Sequence, residues 1–223
     1  DNTTTSSSDN SSSSVSVLFV GVGASGNIVR SNDNGASWDN ATSPTGNDFR
    51  GVGFGNNTFV AVGNNGNIVR STDNGSSWDN ATSPTTTNLS KVTFGNNTFL
   101  AVGNYGNIVR STNNGESWDN ATTDNSTVSN LIGVTFGNNT FVGVGVSGNI
   151  VRSTDNGSSF DNATSPTAIH LNGVTFGNNT FVGVDVSGNI VRSTDNGSSF
   201  DNATSPTGNT LFGTTFGNNT FVG

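Results

Sequence analysis

The sequence predicts an all-β propeller of five four-stranded antiparallel blades, its ring closed by strands from both termini. Two repeated phrases and one missing pattern predict it. The pentapeptide Asn27-Ile28-Val29-Arg30-Ser31 recurs from Asn67, Asn107, Asn149 and Asn189, at spacings of 40, 40, 42 and 40 residues. Phe-Gly-Asn-Asn-Thr-Phe recurs from Phe54, Phe94, Phe136, Phe176 and Phe216. A fixed period of this size marks a repeat architecture, and no segment carries apolar residues at helical spacing. A right-handed β-solenoid would also use short strands punctuated by Gly and Asn. Four strand–turn units in each period favour the propeller.

Taken in order, Asp1–Ser14 (DNTTTSSSDNSSSS) is a polar low-complexity segment that buries too little apolar surface to order itself. Residues 15–223 carry the repeats. Val17–Gly21 reads as the second strand, B, of a first blade that lacks its strand A. In a full repeat, Lys91–Phe94 is strand A and Gly95-Asn96-Asn97 a tight turn. Thr98–Gly103 alternates as strand B, Asn104-Tyr105-Gly106 turns, and Asn107–Ser111 is strand C. Asn113-Asn114-Gly115 turns again into strand D, Ser117–Thr122. Near the end, Thr214–Phe216 supplies a strand A that would complete the first blade. Phe221-Val222-Gly223 duplicates Phe19-Val20-Gly21, so strand B of that blade has two claimants.

The turn from C to D reads Ser71-Thr72-Asp73-Asn74-Gly75-Ser76-Ser77-Trp78, with copies at Ser31–Trp38, Ser111–Trp118, Ser153–Phe160 and Ser193–Phe200. It resembles the Asp-box, or BNR, repeat of sialidase-type propellers, S-x-D-x-G-x-T-W. The surrounding blade text is similar to propeller repeats of the photosystem II assembly-factor type. The resemblance covers roughly residues 15–223. Ser replaces the Thr before the aromatic, Asn113 stands where other copies have Asp33, Asp73, Asp155 and Asp195, and Phe replaces Trp in the last two copies. Chemically the turn reads as structural. Its carboxylate can accept from backbone N–H groups of its own loop, its Gly supplies positive φ, and its aromatic fills space between sheets. One carboxylate per turn is too few for calcium, which takes several oxygens.

Composition excludes several partners. Seven Lys plus Arg against fifteen Asp plus Glu give a formal charge of −8. A nucleic-acid partner would need a basic patch, and no apolar run approaches the length of a bilayer span. With no Cys and a single His, His170, neither a disulfide nor a metal centre is expected, and no cofactor motif is present. The five strand-C arginines, Arg30, Arg70, Arg110, Arg152 and Arg192, are expected to pair with Asp39, Asp79, Asp119, Asp161 and Asp201 at the blade rims.

Repeat-to-repeat variation locates a candidate ligand face. The A–B and C–D turns, on one face, are nearly constant. The D–A and B–C loops, on the other, differ. Within the D–A loops Phe49, Leu89, Leu131, Leu171 and Leu211 keep one apolar, core position. The free positions are Asp48, Arg50, Lys91, Ile132, His170, Asn172 and Phe212, with Tyr105 and Asp185 nearby. Loops on a rigid scaffold commonly carry binding.

Sequons are dense. Asn56, Asn96, Asn138, Asn178 and Asn218 lie at A–B turns. Asn40, Asn80, Asn120, Asn162 and Asn202 lie on strand D, and Asn74, Asn156 and Asn196 in C–D turns. They point to a secreted glycoprotein, although Asn is also a good turn former. A sialidase would need an arginine cluster at the axis and a tyrosine nucleophile with a carboxylate partner, and glycosidases need two facing carboxylates. Tyr105 and Glu116 fall in turns on opposite faces, so no catalytic residues are expected. The expected function is a non-enzymatic extracellular or cell-surface structural protein that self-associates through its termini into a fibre or layer. The alternative is a glycan- or protein-binding module using the variable face.

Overall fold

A computed structural model describes residues 18–123 and 129–223, so Asp1–Ser14 and the start of the first strand at Val17 lie outside the described residues. The chain is an all-β propeller with no α-helix among the described residues. The first sheet has three strands, Phe19–Val22, Ile28–Ser31 and Asp39–Asn40, in the roles B, C and D. The second sheet runs A to D as Phe49–Gly55, Thr58–Gly63, Ile68–Ser71 and Asp79–Asn80. The third is Leu89–Gly95, Thr98–Gly103, Ile108–Ser111 and Asp119–Asn120. The fourth comprises Leu131–Gly137, Thr140–Gly145, Ile150–Ser153 and Ser159–Asn162, and the fifth Leu171–Gly177, Thr180–Asp185, Ile190–Ser193 and Asp201–Ala203. The sixth is a two-stranded pair, Thr215–Gly217 with Thr220–Val222.

Turn chemistry sets these elements. Asn56 and Asn57 both have positive φ, 47° and 55°, as a two-residue hairpin turn of the kind favoured by strand twist requires. The same Asn pair recurs at each A–B turn, so repetition of Gly-Asn-Asn-Thr is explained by geometry alone. Strand A is longer than expected, starting at its core residue (Leu89 rather than Lys91) across a register shift that absorbs one residue. Strand D is shorter than expected, only Asp119–Asn120 in the third sheet. The chain leaving strand D instead crosses to the following sheet. Thr42 bridges in parallel to Ser77, Thr82 to Ser117 and Thr164 to Ser199, and Thr122–Thr123 pairs with Ser159–Phe160. The outer edges at these points are therefore covered rather than open, and neighbouring sheets are stitched at the rim.

The core lies between sheets, in four apolar clusters. Trp78 packs with Ile28 of the first sheet and with Phe59 and Val69 of the second. Trp118, Phe160 and Phe200 do the same at the next three junctions. Towards the axis, a second contact repeats. A Cβ built on Gly55 would lie 2.0 Å from Cγ of Phe94, so only glycine admits the next strand's ring. Gly95 stands likewise against Phe136, Gly137 against Phe176 and Gly177 against Phe216.

Candidate functional site

The carboxylate turn is a closed hydrogen-bond unit. Ser71 Oγ donates to Asp73 Oδ1 at 2.8 Å and accepts from the Gly75 N–H at 2.9 Å. Ser77 donates to Asp73 through both its N–H (3.0 Å) and its Oγ (2.6 Å). Trp78 Nε1 donates to the Gly75 carbonyl at 3.1 Å, fixing the indole plane against the preceding sheet. Asn113 reproduces the unit with one polarity reversed: its Oδ1 accepts from the Ser117 N–H while its Nδ2 donates to Ser117 Oγ at 2.9 Å. A serine hydroxyl both donates and accepts, which is why Asn substitutes for Asp here. The Ser77 hydroxyl, aided by the Ser77 N–H, lowers the Asp73 pKa to about 2, and Ser37 and Ser199 do the same to Asp33 and Asp195. At Asp155 burial opposes the shift, but the Ser159 donors outweigh it and the pKa again falls to about 2. Every donor in these sets comes from the turn itself. Among the described residues no group of His, Cys, Asp and Glu gathers that could hold a metal.

The arginines depart from expectation. Each lies across from its Asp in register, as Arg30 does from Asp39 and Arg70 from Asp79. Among the described residues, however, only Arg152 and Asp161 approach as an ion pair, at 4.0 Å. Arg30, Arg70 and Arg110 reach forward instead, donating to the carbonyls of Asn74, Asn114 and Asn156 in the next sheet's turn at 3.3, 3.3 and 3.4 Å. Those carbonyls belong to residues in left-handed turn conformation, φ near 60°, and need an external donor. Arg30, Arg70 and Arg110 fasten sheet to sheet rather than strand to strand.

Three candidate ligand residues are drawn into the scaffold. Asp48 Oδ1 accepts from the Ser25 N–H at 2.8 Å, and His170 Nδ1 from the Ser147 N–H at 3.2 Å. Asn88 and Asn130 do the same for Asn65 and Tyr105. The residue before the core position thus holds the preceding sheet's B–C tip. Asp185 is fully buried and accepts from the N–H groups of Ser187 and Asn189 and from Asn189 Nδ2, each at 2.8 Å. It occupies the strand position held elsewhere by Gly63, Gly103 and Gly145. Tyr105 is 80% exposed and sits on a B–C tip at φ 58°, where Asn65 stands one repeat earlier.

The remaining five gather. Arg50, Lys91, Ile132, Asn172 and Phe212 line one cleft of about 520 Å³ at the axial end of the A strands, together with Asn104 and Asn130. The strands approach closely there: a Cβ on Gly51 would lie 3.1 Å from the Lys91 Cα.

The sequon asparagines divide by partner. Asn40, Asn80, Asn120, Asn162 and Asn202 are exposed on strand D. Asn156 and Asn196 are half-buried, and their Nδ2 atoms, where a glycan would attach, donate to Thr98 and Thr140 Oγ1 at 2.7 and 2.6 Å. Asn56 and Asn138 donate through Nδ2 to Asn114 and Asn196 at 2.7 and 3.1 Å. These four contacts join neighbouring sheets. Asn74, Asn96, Asn178 and Asn218 are exposed in their turns.

At the two ends the junction contacts are unfilled. Trp38 is 48% exposed where Trp78 is 5%, and Phe54 is 53% exposed. Among the described residues a Cβ on Gly35 or on Gly217 would meet nothing within 4 Å, whereas one on Gly75 would lie 3.1 Å from Val20 Cγ2. Arg192, the last strand-C arginine, is exposed. The sequence reading missed this pattern because it shows only when equivalent positions are compared for burial.

Comparison with known proteins bears on the fold. A structure described as YCF48 bound to D1 peptide superposes with a TM-score of 0.65 at 18% identity, over 86% of this chain and 68% of that one. YCF48 from Cyanidioschyzon merolae gives 0.62 at 16% identity, over 85% and 71%. The repeat resemblance to photosystem II assembly-factor propellers is therefore one of fold. A GH74 enzyme from Niastella koreensis gives 0.56 at 21% identity, over 83% of this chain and 30% of that one. No curated protein sequence matches. The model of one family, the DUF6242 beta propeller domain, matches residues 48–168, which is 121 of 223 residues, and the chain belongs to that family.

Proposed function

We propose that the chain is a non-enzymatic, self-associating propeller protein of the cell surface or extracellular space, whose last sheets dock on the first sheet of a second copy. One observation carries this reading: the two ends carry the two halves of the junction that repeats inside the molecule. Among the described residues Phe54 lacks the glycine that seats Phe94, Phe136, Phe176 and Phe216, and Gly217 lacks the ring that fills every equivalent glycine. Trp38 lacks the covering B and C strands that Thr180–Asp185 and Ile190–Ser193 present at the far end. Docking would place Thr215–Gly217 as strand A of the first sheet, with Phe19–Val22 taking the place of its present partner Thr220–Val222, completing five four-stranded blades. The same pairing within one chain would close a five-bladed ring. A second copy is the occupant favoured here, because among the described residues of the single chain the two ends leave each other unfilled. Such a contact is heterologous, and repeated without closing it builds a fibre or layer.

The test uses tryptophan fluorescence. Phe already occupies the Trp78 and Trp118 position in two repeats, so the double variant Trp78→Phe, Trp118→Phe leaves Trp38 as the sole reporter. The reading expects acrylamide to quench Trp38 strongly in dilute solution and weakly at high concentration. Protection at every dilution would mean that the ring closes within one chain. Exposure at every concentration would remove the proposed contact. A glycan-binding reading of the variable face is favoured separately by the cleft at Arg50 and Lys91.

A further inference from the structure

The chain has seven Lys and Arg residues, and five of them are the periodic strand-C arginines. The other two, Arg50 and Lys91, begin the A strands of adjacent sheets and line the same cleft. This concentrates both non-periodic cations of a protein with formal charge −8 in one place. Arg50 Nε donates to Asn64 Oδ1 at 2.6 Å, and Asn64 Nδ2 donates to Asp48 Oδ2 at 3.2 Å. That chain of contacts holds the guanidinium by one edge and leaves its terminal nitrogens for a ligand. Lys91 is exposed and has no hydrogen-bond or ion-pair partner among the described residues. Both cations line one cleft whose lining holds no carboxylate, so an anion entering it meets positive charge that no lining side chain neutralises.

The rest of the lining narrows the anion. Asn130 spends its Oδ1 on the Tyr105 N–H, and Asn172 spends its Nδ2 on the Leu211 carbonyl. One therefore retains amide donors and the other an amide acceptor, a pairing suited to hydroxyl groups. Ile132 and the 84%-exposed Phe212 give the cleft apolar surface, against which the C–H face of a sugar ring can lie. A cleft of about 520 Å³ accommodates one or two pyranose units. We infer that the cleft binds a carboxylate-bearing saccharide of the uronic acid type, its carboxylate held between Arg50 and Lys91 and its ring against Phe212 or Ile132. The site lies on the opposite face from the carboxylate turns and does not depend on association of copies.

Digalacturonate titrated calorimetrically at low ionic strength tests this. Measurable binding is expected, weakened about tenfold by Arg50→Gln or Lys91→Gln, as for loss of one charge-assisted contact, and weakened further as salt is raised. Phe212→Ala should weaken it less. Neutral galactobiose should not bind. Circular dichroism of each variant checks that the fold is retained. Failure of digalacturonate to bind at millimolar concentration would overturn the inference, as would equal binding by the Arg50→Gln, Lys91→Gln double variant. Tighter binding of an acidic tetrapeptide than of digalacturonate would assign the cations to a peptide instead and equally overturn it.

Discussion

The junction between the second and third sheets and the free face of the first sheet are built from the same sequence phrases and differ in burial and in the contacts made across sheets. At the internal junction Trp118 is buried, Gly115 faces Val60, Arg70 reaches the Asn114 carbonyl and Phe94 seats on Gly55. At the first sheet Trp38 is half exposed and Gly35 faces nothing among the described residues, and on the second sheet Phe54 lies open towards it. A repeat protein derives its stability from such interfaces, and a terminal repeat without a neighbour carries the same residues at little energetic return. The sequence phrase thus specifies half of a contact. Its energetic worth depends on which repeat stands beside it.

Substitutions at matched positions should separate the two regions. The largest contrast is expected at the aromatic of the turn. Trp78→Ala should cost about 3–5 kcal/mol, as for other buried large-to-small changes, whereas Trp38→Ala should cost less than about 1 kcal/mol in the dilute monomer. Urea unfolding of the two variants measures the difference, and equal losses would mean that Trp38 is covered. Next comes the axial glycine. Gly95→Ala drives a Cβ to 2.1 Å from the Phe136 ring and should cost about 2–3 kcal/mol. Gly217→Ala meets nothing within 4 Å and should stay within about 0.5 kcal/mol of the parent in thermal melts of the dilute protein.

Smaller, and shared by both regions, is the acid response of the turns. Asp73, Asp155 and Asp195 in covered turns and Asp33 in the open one all have native pKa values of about 2, below the ordinary 3.8. Their contribution is present above the unfolded-state value and is lost as pH falls through the native one. The melting temperature should therefore decline between about pH 4 and pH 2, and replacing all four with Asn should flatten that decline, because Asn113 already serves without titrating. An unchanged acid slope in the fourfold variant would place the acid sensitivity elsewhere.

Much of the fold was legible because each turn demands particular residues. The Asn-Asn pair at φ near 50° and the Gly of the C–D turn mark where strands end, and alternation between them marks the strands. The aromatic packing between sheets was legible from the turn, but the polar contacts made between repeats were not. Arg70 and Asp79 are cross-strand neighbours in register, and sequence reasoning naturally pairs them, yet the arginine reaches a carbonyl 44 residues away. The candidate site was half legible. Variation found Arg50, Lys91, Ile132, Asn172 and Phe212, which converge, but it also selected Asp48 and His170, which hold B–C tips. A signal that separates them existed: Asp48, Asn88, Asn130 and His170 share one repeat position, and all can accept a hydrogen bond from a backbone N–H. The role of Asp185 was not legible, since a carboxylate in a glycine position gives no sign that it folds back onto its own turn.

The central claim is that the ends of the molecule are two halves of one junction. Sedimentation equilibrium over a wide concentration range, run in parallel on the parent, Trp38→Ala and Gly217→Ala, tests it most directly. The parent is predicted to gain mass with concentration, and both variants, folded and nearly as stable as the parent when dilute, are predicted to remain at 22.7 kDa. A parent that stays at the mass of one chain throughout, or variants that associate as strongly as the parent, would contradict the account.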